Sequence, residues 1–125
     1  MSDPIEESDV SITVESDASD GLAVVRVVGD VDLWSVDDLR KELGLVQPTV
    51  SNLIVDLTGV SFIDSTGIGV LVSCLQDVRK AGGRMGLVIA QPHIHRVLQV
   101  TNLDQVFIVG DEQATVVKLI AEAGE

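Results

Sequence analysis

The sequence predicts a single α/β domain: a mixed, mostly parallel sheet of about five strands with about four helices, in the order β-β-α-β-α-β-α-β-α. Three observations predict it. The 125 residues suit one domain, since domains most often run to about 100–150 residues. Short aliphatic runs alternate with stretches of helical period, the pattern of strands joined by crossover helices. Hydrophobic residues make up 46% of the chain and aromatics only 2%, so the core must be aliphatic.

Residues 1–9 read as a disordered acidic tail, with too little apolar surface to offset their ordering entropy; the folded domain is expected over 10–122. Residues 10–14 alternate Val-Ser-Ile-Thr-Val, the period of a half-buried strand. Residues 16–21 form a turn cluster. Residues 22–28 are nearly all aliphatic, as in a strand buried on both faces, and the short connection makes an antiparallel hairpin. Gly29-Asp30-Val31-Asp32 breaks the run. A helix follows over about 35–46, with Val36, Leu39 and Leu43 on one face, and Pro48 ends it. Residues 52–57 form a strand. Residues 65–81 form a helix with Ile68, Leu71, Leu75 and Val78 on its apolar face. Arg79 and Lys80 complement its negative dipole end, and Gly82-Gly83 supplies a left-handed cap. A strand at 85–90 precedes a helix from Pro92 to about Val100. Thr101-Asn102 stops it, a short strand covers 105–109, and Asp111 caps a last helix with Ala114, Val117, Ile120 and Ala121 on one face.

Composition narrows the function. Eight basic and twenty acidic residues give a net charge of −12. That argues against nucleic acid and against anionic membrane surfaces. Cys74 is the single cysteine, which suits a reducing cytoplasm. The longest apolar run, 67–75, is about half the ~18–20 residues needed to span a bilayer, and the acidic N-terminus lacks a signal peptide's features. A cytoplasmic location is expected.

Parallel strands send their βα loops out at one edge, where partners and ligands meet open α/β sheets. The loops at 29–34, 58–67 and 90–93 should gather there, making neighbours of Asp30, Asp32, Trp34, Asp64, Ser65 and His93. The richest segment runs Val55-Asp56-Leu57-Thr58-Gly59-Val60-Ser61-Phe62-Ile63-Asp64-Ser65-Thr66-Gly67-Ile68-Gly69-Val70-Leu71. Asp64, Ser65 and Thr66 are all good N-cap residues. Gly67 and Gly69 cost a first turn roughly 1 kcal/mol each against alanine, which suggests a backbone opened for close approach.

This segment resembles the signature of the STAS-domain anti-sigma factor antagonists: an aliphatic strand ending in Asp-Leu, a short apolar loop, then Asp-Ser-(Ser/Thr)-Gly-aliphatic-(Gly/Ala)-x-Leu. Gly29-Asp30-Val31-Asp32-Leu33-Trp34-Ser35 resembles a second mark of the family. Leu98-Gln99-Val100-Thr101-Asn102-Leu103-Asp104 resembles a third, with Asn102 where Gly is usual; Asn also tolerates left-handed geometry. The resemblance implies a STAS fold and a protein that binds other proteins and is not an enzyme. It implies that Ser65 is phosphorylated by an anti-sigma factor that is also a serine kinase, with Thr66 the alternative acceptor. The unphosphorylated form would bind that factor and release a sigma factor, and a serine phosphatase would restore it. The implied binding surface is Asp30, Asp32, Asp64, Ser65, Thr66, Gly67, Ile68 and Gly69, and Trp34, where the family more often has a small residue, lies on the same predicted edge. No cofactor and no metal are expected.

Each of these residues also has a plainer reading. Asp30 and Asp32 are caps on spacing alone. Asp64 either orients the Ser65 hydroxyl or makes an Asx turn. Trp34 either folds against its own helix or anchors a partner, since Trp is enriched among binding hot spots. Cys74 reads as a buried, inert thiol. His93 and His95, two apart on a helix, point to different faces and make poor co-ligands. A small serine hydrolase using Ser65, His93 and Asp30 or Asp32 is a rival, but the nucleophile elbow Gly-x-Ser-x-Gly is missing. Nucleotide binding is disfavoured because Val72 stands where the third glycine of the dinucleotide fingerprint would be. A STAS subunit of a lipid-transport or stress-sensing complex is the alternative that keeps the fold.

Overall fold

The computed structural model describes residues 11–17 and 21–123. The acidic tail, Val10 and residues 18–20 of the turn cluster at 16–21 lie outside the described residues. Five strands and four helices follow in the expected order: β1 Ser11–Asp17, β2 Leu22–Val31, α1 Val36–Val46, β3 Asn52–Ile63, α2 Ser65–Lys80, β4 Met85–Val88, α3 Pro92–Val100, β5 Ile108–Gly110 and α4 Gln113–Ala123. The sheet order is β1-β2-β3-β4-β5. β1 and β2 pair antiparallel, and every later pair is parallel.

Because each crossover joins adjacent strands, the sheet has no point where strand order reverses. The main core lies between one sheet face and α1, α2 and α3: Leu39 and Leu43 from α1, Leu71 and Leu75 from α2, and Ile94 and Leu98 from α3 bury against Val25, Val55 and Leu87. Helix α4 covers the other face, where Val116 and Ile120 meet Val24, Ile54 and Val88. Its inward stripe differs from the expected one, since Ala114 and Ala121 are exposed. The helix begins one residue later than expected, with the Val116 N–H bonding the Glu112 carbonyl and not starting from Asp111.

Two strands run past their predicted ends. β3 was expected to stop at Leu57 but continues to Ile63, and β2 continues to Val31. Their pairing slips twice: two steps on β2 oppose three on β3 between Asp56 and Gly59, and one opposes two between Val60 and Phe62. These bulges break the alternation that marks a strand, so the segment resembles a loop in sequence. Buried Asp56 shapes the first bulge by accepting from the Thr58 N–H (2.9 Å) and hydroxyl (2.7 Å). The Gln91 amide holds it from outside by donating to the carbonyls of Leu57 (2.9 Å) and Val60. Elsewhere, the last strand, expected over 105–109, begins at Ile108, and Gln105 instead ends a 3-10 turn over 103–105. Asn102 takes the left-handed conformation at φ 61°, the geometry its position in the sequence pattern demands.

Candidate functional site

The first carboxyl-edge loop is a reciprocal cap. Asp32 Oδ1 accepts from the N–H groups of Trp34 (2.9 Å) and Ser35 (3.2 Å). Ser35 Oγ in return accepts from the Asp32 N–H (3.0 Å) and donates to the Asp30 carbonyl (2.7 Å). The Val36 N–H bonds the Asp32 carbonyl, so the helical turn starts at Asp32. This is a capping box with serine in the returning position. It explains the spacing of Asp32 and Ser35, and it places Ser35, which the sequence reading left without a role, at the buried centre of the loop. With its ends tied, the loop holds Leu33 and Trp34 outward. Trp34 is 85% exposed and Leu33 65%, so the ring does not fold against α1.

The second loop has collapsed to one residue, Asp64. Its Oδ1 accepts from the N–H groups of Thr66 (3.0 Å) and Gly67 (3.2 Å) and from the Thr66 hydroxyl. Asp64 thus caps α2 and does not orient Ser65. The Thr66 hydroxyl holds its carboxyl below the usual range, with the N–H groups of Gly67, Thr66 and Leu33 acting the same way against partial desolvation. The Asp64 N–H bonds the Val31 carbonyl at 3.0 Å, which joins the two loops. Ser65 is exposed in the first position of α2, while Thr66 is half-buried.

The two glycines have different roles. A Cβ on Gly67 would stand 2.7 Å from both Ile63 Cγ1 and Val31 Cγ1. This glycine is buried and lets α2 seat on the strand ends, so it opens no approach to solvent. At Gly69 a Cβ would meet nothing within 4 Å, and that exposed turn is the one left open. Ile68 is half-buried between them.

His93 joins the edge but not Ser65, because its Nε2 pairs with the Ser61 carbonyl (2.9 Å). His95 Nε2 pairs with the Ile89 carbonyl. No cluster of metal-ligating residues occurs among the described residues. Burial pushes the Cys74 thiol up to about 11, with Asp77 adding to the effect. Phe62, 49% exposed, also belongs to this edge: the second bulge turns both Ser61 and Phe62 outward between buried Val60 and Ile63, and Phe62 pairs in register with Asp30. The sequence reading missed Phe62 because it took the segment for a loop. The surface is thus an apolar group (Leu33, Trp34, Phe62) beside the acidic loop and the exposed Ser65 hydroxyl.

Comparison with known proteins identifies the fold and the family. The STAS domain family matches residues 13–120. An anti-sigma F factor antagonist of Lysinibacillus sphaericus is 30% identical over 82 residues, covering 64% of this chain and 70% of the relative. The crystal structure of an anti-sigma factor antagonist from Mycobacterium paratuberculosis superposes with a TM-score of 0.82 at 26% identity, over 90% of this chain and 95% of that one. The phosphorylated form of the Bacillus cell fate determinant SpoIIAA gives 0.68 at 22% identity, over 87% and 99%, a likeness of fold alone. With the Gly29–Ser35 and Asp64–Gly67 motifs folded as one edge, and with matches over nearly the whole domain, the chain belongs to the STAS-domain family of anti-sigma factor antagonists.

Proposed function

We propose that the chain binds an anti-sigma factor with serine kinase activity through the edge formed by Asp30, Asp32, Trp34 and 64–69. Phosphorylation of Ser65 ends that binding, and a serine phosphatase restores it. No helix among the described residues is long and apolar enough to cross a membrane, and the acidic composition and single cysteine suit the cytoplasm. The protein is a regulatory binding partner and not an enzyme.

The observation that carries the reading is the contrast between the two hydroxyls after Asp64. Thr66 is committed to the cap, whereas Ser65 is exposed. A phosphate on Ser65 adds ~1.5–2 negative charges at a helix N-terminus, where free N–H groups and the dipole favour anions. The domain therefore tolerates it, and the effect falls on the interface. Like charges brought together there cost several kcal/mol, and each ~1.4 kcal/mol is tenfold in affinity. A structural neighbour of the same fold has been solved phosphorylated, which supports the reading.

The test is incubation with the candidate kinase and Mg-ATP, followed by intact mass and site mapping, with Ser65→Ala and Thr66→Ala alongside. One phosphate on Ser65, absent only from Ser65→Ala, is expected. Phosphate on Thr66 would move the switch by one residue. Neither phosphate nor binding across the serine kinases of the source organism would end the partner-switching reading.

A further inference from the structure

Helices α1 and α2 leave between them an open cleft of about 430 Å³ that begins at Ser65. Its α2 wall carries Ser65, Gly69 and Ser73, and its other wall carries Arg40 and Gly44 of α1 with Gln47 just past the helix end. Each set is spaced three or four residues apart, the interval of one helix face. The cleft is open where Gly44, Gly69 and Ser73 line it: a Cβ on Gly44 or Gly69 would meet nothing within 4 Å. Arg40 is the only cation among the lining residues, and Asp77 is the only anion. Arg40 is paired with Asp37 one turn back on α1, and both side chains are mostly exposed, at 59% and 84%. An exposed pair of this kind is weak. A dianionic phosphate offers a guanidinium a bidentate, charge-assisted alternative.

We propose that Arg40 is the internal receptor for phosphate on Ser65. This inference rests on Ser65 being the acceptor. On phosphorylation Arg40 turns from Asp37 into the cleft and pairs with the phosphate across the gap left by Gly69. Asp37 is then left without its cation, so one modification changes the surface at two places: the phosphate itself and the unpaired Asp37 carboxylate on α1. The anchored phosphate is also held against α2, not swinging free in solvent. The charged neighbour beside Ser65 in the cap, Asp64, is acidic, and so is Asp77, the other charged residue lining the cleft. Arg40 thus opposes these carboxylates in setting how easily the phosphate takes its second charge.

The test needs no kinase. Full-length chain carrying genetically encoded phosphoserine at position 65 is titrated by ³¹P NMR, as wild type and as Arg40→Ala, Arg40→Lys and Arg84→Ala. Arg84 lies at the opposite edge, its N–H bonded to Asn52 at the start of β3. The second pKa of the phosphate is expected to rise by about half a unit or more in Arg40→Ala, to rise less in Arg40→Lys, and to stay at the wild-type value in Arg84→Ala. Superimposable titrations of wild type and Arg40→Ala, with matching far-UV circular dichroism, would overturn the proposal. A phosphate that responds to Arg40 in a chain that no kinase modifies would keep the receptor and remove the switch, so the two readings fail separately.

Discussion

Gly67 and Gly69 allow one substitution to be read twice. Both lie near the start of α2, and alanine at either gains the same helix propensity, about 1 kcal/mol. Only at Gly67 does the new methyl collide. It would sit 2.7 Å from Val31 Cγ1 and Ile63 Cγ1 and 3.0 Å from Ile63 Cδ1. Val31 is fully buried and Ile63 is 6% exposed, and both atoms at 2.7 Å are branch atoms close to the backbone, so they cannot swing away cheaply. Overpacking of this kind costs about 1–3 kcal/mol. Gly69→Ala is therefore expected to stabilise the domain by up to about 1 kcal/mol, and Gly67→Ala to be neutral or to destabilise it by up to about 2 kcal/mol. Propensity cancels in the comparison, so the gap of about 1–3 kcal/mol measures the steric term alone. Urea unfolding followed by far-UV circular dichroism reads it; Trp34 fluorescence does not serve, because the ring is already 85% exposed. In a thermal melt the gap is roughly 3–6 °C per kcal/mol for a domain of this size. A Gly67→Ala protein as stable as Gly69→Ala would refute the account of how α2 seats on the sheet.

Three further outcomes are expected. Ser35→Ala leaves the Asp30 carbonyl and the Asp32 N–H without their buried partner and should cost about 1–3 kcal/mol in urea unfolding, whereas Ser35→Thr, which keeps the hydroxyl, should cost less. Asp64 has a lowered pKa in the folded chain, so its contribution to stability is fully present above the unfolded value of ~3.9 and is lost as pH falls through the lower folded value. Unfolding midpoints between pH 2 and 5 should accordingly rise with pH more steeply in wild type than in Asp64→Asn; equal slopes would count against the cap as drawn. Trp34 emission should be red-shifted in the free chain and blue-shifted by saturating anti-sigma factor, and Trp34→Ala should weaken that complex by about 2 kcal/mol, roughly 30-fold.

What the sequence made legible follows from which features are local. Helical period, the Pro48 and Asn102 stops and the aliphatic runs gave every element in its order, because each depends on a few neighbouring residues. The end of β3 was hidden because two bulges spoil its alternation, and they are held by Asp56 and by Gln91 from a distant loop. No period in the sequence encodes a carbonyl clamped across 31 or more residues. At the site, the residues of both motifs were nameable, but their division of labour was not. Asp64, Ser65 and Thr66 are all good caps on paper, and only the folded turn shows which oxygen is used. Gly67 looked like an opening and is a packing contact. Phe62 was missed because its outward direction depends on the bulge beside it.

The charge on Ser65 is proposed to decide whether the partner binds. The direct measurement is calorimetric titration of the anti-sigma factor with the unmodified chain and with the chain carrying phosphoserine at position 65. A complex is expected with the first and an affinity at least about 100-fold lower with the second, since several kcal/mol are lost to the buried phosphate. Equal affinities for the two forms would contradict it.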